Sequence, residues 1–171
     1  NHRIERMWVE FNLRVNYPIK HVLNSLVENE LLNIEDDITK YSISWVAQRV
    51  CHSGCRNFID SWNSHFVRGR GTPNELQAQF DKTVPIRSNL LPVTTDAVKM
   101  YEERGGQLTY RPEFGKDPLS SVQHLNTARN QRFCQQFSDF SEMFSRLVNG
   151  CLAMFQNTVL FHRDLTYEYC P

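Results

Sequence analysis

Glu5 stands between Arg3 and Arg6 in the opening octapeptide NHRIERMW. A carboxylate in that setting can ligate a hard divalent cation, or it can form an ordinary surface ion pair. Helical spacing puts Asn1, Glu5, Val9 and Asn12 on one strip, since side chains three and four apart stack on a helix face. Arg3, Arg6 and Arg14 make this the most basic helical segment of the chain, and such a surface suits contact with phosphates. Cys51, His52 and Cys55 raise the idea of zinc. A structural zinc site needs four ligands in two paired sets, however, and no second Cys/His pair accompanies them, so the two cysteines read as small core residues. Asn63 and His65 precede Arg68-Gly69-Arg70, which reads equally as a nucleic-acid-facing edge or as a polar helix end whose cations favour the dipole.

Helices must position these groups. Ile4, Met7, Trp8, Phe11 and Val15 recur at helical spacing and predict a first helix to about Asn16, with Glu5 beside the apolar stripe. Pro18 fits the first turn of a second helix, carried by Ile19, Val22, Leu23, Leu26 and Val27 and ending near Leu32. Glu35-Asp36-Asp37 caps a third, with Ile38, Tyr41, Trp45 and Val46 on its apolar face. Ser53-Gly54 predicts a break, followed by a fourth helix through Cys55, Phe58, Ile59, Trp62 and Phe66. RGRGTP ends that run, and Thr72-Pro73-Asn74-Glu75 reads as a cap and short helix start. Phe80 to Val93 reads as a linker, Thr95 to Arg104 as a short helix closed by Gly105-Gly106, and Gln107 to Arg111 as the one strand-like stretch. Phe133, Phe137, Phe140, Phe144, Leu147, Cys151 and Phe155 step by threes and fours, which predicts one long helix with an aromatic stripe.

Composition narrows the class. With 171 residues, 40% of them hydrophobic, the chain can bury a core without disulfide staples. Nineteen basic and nineteen acidic residues cancel, and they cancel again on either side of Lys82, so bulk charge does not mark a nucleic-acid partner and any basic footprint is local. Five scattered cysteines suit a reducing, intracellular compartment. No signal segment and no apolar run of membrane-spanning length is present, so no membrane association is expected. The mid-helix opening without methionine suggests a fragment.

NHRIERMW, followed some fifty residues later by FIDSWNSHFVRGRGTPNELQ, resembles the C-terminal part of an integrase core domain. This is the RNase H-like catalytic domain of DDE transposases and retroviral-type integrases, and the likeness is greatest to the eukaryotic, transposon-derived type. In that family a helix of pattern N-x-R-I-E-R-x-W carries the third catalytic carboxylate. A later helix ends in an aromatic-Asn pair before a basic turn and a Thr-Pro-x-Glu segment. Glu5 matches the acid, Asn1 and Arg3 its neighbours in the motif, Trp62-Asn63 the pair, and Thr72-Pro73 with Glu75 the closing turn. The resemblance covers residues 1–80, whereas residues 81–171 match nothing and form a helical extension of unknown role.

What the resemblance implies is a mainly α chain: the helical C-terminal portion of an α/β RNase H-like integrase core, plus the extension. Glu5 would be a catalytic residue and a ligand of Mg2+ or Mn2+ in the complete protein. Asn1, Arg3, Arg6, Asn12 and Arg14 would form a weak, sequence-independent DNA face, and the protein would be nuclear. Two-metal phosphoryl transfer needs several carboxylates around ions about 3.5 to 4 Å apart. The family's first two aspartates lie on strands that are absent here, so this chain alone is expected to bind no metal and to be inactive. The alternative is a domesticated helical interaction module, with Phe133, Phe137, Phe140 and Phe144 meeting a helical partner or a second copy. As a fragment, the chain would have lost the sheet partner of its first helix, so Trp8 and Phe11 would pack on later helices or stay partly exposed.

Overall fold

The computed structural model describes residues 2–80, 84, 86–108 and 115–170. These residues form eight α-helices: α1 (His2–Phe11), α2 (Tyr17–Glu28), α3 (Asp37–Ser64), α4 (Pro73–Phe80), α5 (Thr94–Glu103), α6 (Gln123–Gln136), α7 (Phe140–Val148) and α8 (Leu152–Tyr169). No strand forms among them, and the fold is mainly α, as expected from the sequence. Of the strand-like stretch, Gln107 and Leu108 are irregular, and residues 109–111 lie outside the described part. The chain divides into two compact units, Asn1–Trp62 with Pro112–Pro171, and Asn63–Arg111.

The first unit departs from its periodicity in three places. Between α1 and α2 the helix does not restart at Pro18. It runs on through a π-helical turn, Asn12–Asn16, in which the Tyr17 N–H reaches back to the Asn12 carbonyl. Proline has no N–H, and its ring clashes with the carbonyl four residues back, so a wider turn just before it lets the run continue. Nor does α3 break at Ser53-Gly54. A Cβ built on Gly54 would stand 2.5 Å from the Phe144 ring, so this glycine serves close approach of α7 to an unbroken 28-residue helix.

The predicted phenylalanine helix is instead three pieces, α6, α7 and α8. Asp139 stops the first gap from closing, since its carboxylate accepts from the Glu142 N–H at 2.8 Å and caps α7. Gly150, at φ +82°, ends α7 in the left-handed conformation. The start of α3 follows the sequence reading, because Asp36 accepts from both the N–H and the hydroxyl of Thr39.

Val15, Val22 and Leu26 from the first helices, Val46 and Val50 from α3, and Phe133, Phe155 and Val159 from α6 and α8 are buried in one core. Each such side chain contributes about 1.5–3 kcal/mol relative to exposure. Phe133 and Phe144 therefore face this chain's own helices and are not open to a partner. Phe137 and Phe140 are half-buried on the same core. The aromatic stripe is a core, and the reading of it as a surface for self-association is corrected for Phe133 and Phe144.

In the second unit α4 opens with a reciprocal cap. The Glu75 N–H donates to Thr72 Oγ1 at 3.2 Å, and the Thr72 N–H donates to Glu75 Oε2 at 2.7 Å. A bridge between Val67 and Gly71 closes the loop that carries Arg68 and Arg70. α5 ends at Glu103, and Gly105 and Gly106 close it through bonds to the Glu102 and Tyr101 carbonyls. No described residue of this unit is buried.

Candidate functional site

The outward side of α1 carries the candidate acid. Glu5 lies in the first turn, where a carboxylate is favoured by the helix dipole, and Glu5 and Arg6 are both exposed. Met7, Phe11 and Val15 turn inward: Val15 is buried and Phe11 packs edge-on against Phe58, ring centroids 5.5 Å apart. Trp8 stays 55% exposed and touches Phe11 edge-on, so the two aromatics take the two alternatives expected of them, one each.

Asn1 and the side chain of Arg3 lie outside the described residues. Asn12 is half-buried and accepts from Asn16 Nδ2 at 2.7 Å, which ties it to the π turn. Arg14 is exposed but paired with Glu10 at 3.0 Å, so part of its charge is answered within the helix. Val9 is exposed, and so are Ile4, Leu13 and Tyr17, all more than half. The face around Glu5 is thus more apolar than basic. Its signal was in the sequence: apolar residues on both sides of one helical run mark a helix that needs cover on both sides.

Elsewhere a buried polar network had no motif to announce it. Arg129 is fully buried on α6 and grips Asp117 with both terminal nitrogens, at 2.8 and 2.7 Å. The Tyr41 hydroxyl donates to the same carboxylate at 2.8 Å, and Asn126 Nδ2 at 2.6 Å. Burial would raise the Asp117 carboxyl, but Arg129, the Leu119 N–H and Tyr41 outweigh it and hold it below the usual range. Beside them His162 stacks on Trp45 at 4.2 Å, and its Nδ1 lies 2.9 Å from Ser42 Oγ. Burial, with the nearby Arg129 charge, lowers the His162 pKa to about 3. Arg129 and Phe133 share one α6 stripe, four residues apart, which was the only hint that this arginine points inward.

Metal chemistry has a demanding donor set. Among the described residues no three His, Cys, Asp or Glu side chains come together to hold an ion. The described residues do not fit a Mg2+ or Mn2+ pair, nor a zinc at Cys51, His52 and Cys55. Trp62 stacks on Phe58 at 5.6 Å, Asn63 is half-buried, and His65 follows the last turn of α3.

Residues 1–85 match the integrase core domain family. Over those residues the chain belongs to that family. The match takes in Glu5 on α1 and the cap of α4, the two motifs that carried the resemblance. No curated protein and no solved structure matches the chain. Its integrase and transposase relationship is thus carried by the N-terminal half. No helix among the described residues is long and apolar enough to cross a membrane.

Proposed function

We propose that this chain serves DNA integration as part of a DDE-type, RNase H-like integrase or transposase derived from a transposable element, acting in the nucleus. The observation that carries the reading is the family match over residues 1–85, which includes an exposed Glu5 next to Arg6. In this reading Glu5 is one carboxylate of the catalytic set, and the other acids come from outside the described residues. Arg6 and Arg14, together with Asn1, Arg3 and Asn12, meet phosphates weakly and without sequence preference. Because the described residues do not fit the metal pair, no catalytic step is assigned to them.

The test is DNA binding by the full 171 residues against salt. Three phosphate contacts give a log-log slope of about -2 to -3, from roughly 0.9 per neutralised phosphate. Alanine at Arg3, Arg6 and Arg14 removes most of that slope, while alanine at the exposed Arg132 and half-buried Arg163 of the extension leaves it. Equal loss in both sets, or no salt-dependent binding, defeats the DNA face. A second reading, a helical interaction module, is favoured by the exposed Ile4, Trp8, Val9, Leu13 and Tyr17, which offer a protein surface where phosphate contacts were expected.

A further inference from the structure

Cys51 and Cys55 stand one turn apart on α3, with their sulfurs 4.0 Å from each other. Both are half-buried, packed on the core from one side and open to solvent on the other. We propose that this pair is a two-sulfur binding site for a soft, thiophilic monovalent cation of the Cu(I) class.

The geometry favours it. Metal–thiolate bonds of about 2.3 Å would span sulfurs about 4.0 Å apart at an angle near 120°, and about 4.6 Å apart if linear. Small side-chain rotations cover that range, so the helix backbone need not move. The ligand count decides the class of ion. Zinc needs four donors and magnesium about six oxygens, and no third His, Cys, Asp or Glu joins the pair among the described residues. Thiolate sulfur selects Cu(I), which two such ligands satisfy. His52 is the next residue to Cys51 but is exposed, about 100° round the helix.

Binding is an exchange of protons for metal. One Cu+ and two S–H groups become one Cu(SR)2 anion and two protons released to solvent, with no change of oxidation state.

The test uses the full chain with Cys134, Cys151 and Cys170 replaced by serine, titrated without oxygen against Cu(I) held by a coloured bicinchoninate competitor. The expected result is one ion per chain, and about 100-fold or greater weakening on Cys51→Ser or Cys55→Ser, because the second sulfur acts at high effective concentration. Unchanged affinity in those variants, or no competition with bicinchoninate, overturns the site. In the unaltered chain Cu(I) should slow N-ethylmaleimide labelling of Cys51 and Cys55 together, with circular dichroism unchanged. Equal labelling with and without Cu(I) overturns it whether or not the serine variants fold.

Discussion

Arg129 and His162 show how much a single buried side chain can decide. Replacing Arg129 by Ala strands the Asp117 carboxylate and its Tyr41 and Asn126 partners, and should cost about 3–5 kcal/mol in urea unfolding. Replacing the pair together, Arg129→Met with Asp117→Leu, should cost much less, because no uncompensated charge is left. His162 sets a pH dependence. It stays neutral in the fold down to about pH 3, whereas the unfolded chain takes up that proton below about 6.5. Between those limits the unfolded state binds more protons, so stability falls as pH falls, by up to about 1.4 kcal/mol per pH unit. Asp117 acts in the same direction at lower pH, since its folded pKa is depressed and its contribution is lost as pH falls through that value. His162→Gln should flatten the stability profile between pH 6.5 and 4.5. A profile as steep as that of the unaltered chain would assign the acid sensitivity to other groups.

Among the elements, α3 and α7 depend on one another. Alanine at an ordinary helical glycine stabilises by about 1 kcal/mol. At Gly54 the new methyl would meet the Phe144 ring at 2.5 Å, so Gly54→Ala should instead destabilise by about 1–3 kcal/mol. Adding Phe144→Leu should return part of that loss if the ring is the obstacle. The start of α7 rests on one cap, and Asp139→Ala should cost about 0.5–2 kcal/mol, read as a lower denaturant midpoint with an unchanged slope. Both effects are local in origin, yet they are felt at the junction where the family-matched helices meet the extension.

At the scale of the whole molecule, the extension completes a core that the family-matched half does not close. Trp45 of α3 packs against Phe133 at 4.8 Å and His162 at 4.2 Å, and Phe144 covers Gly54. A chain stopped after residue 85 loses Phe133, Phe144, Phe155 and Val159 from that core. It should melt without a cooperative transition and bind a hydrophobic dye, while the full chain melts sharply. A truncated chain with a sharp two-state melt would show that residues 1–85 fold by themselves. The exposed strip Ile4, Trp8, Val9, Leu13 and Tyr17 remains after the extension has packed, and this strip, running from α1 through the π turn to the start of α2, is where the proposed functions compete.

The sequence alone determined what is settled within a turn or two of chain. The Asp36 cap, the Thr72–Glu75 box and the helical class all follow from hydrogen bonds and periodicities over three or four residues, and the integrase kinship was legible in the two motifs around Glu5 and Thr72. Other features wait on groups far along the chain. Gly54 reads as a breaker until Phe144 is seen to fill the space beside it, and the burial of Arg129 is visible only where Asp117 and Tyr41 close around it. The phenylalanine stripe repeats as one helix, but Asp139 and Gly150 divide it so that α7 and α8 can fold back on α3. Only tertiary structure decides these, because burial depends on which surfaces meet, and neither periodicity nor charge count carries that information.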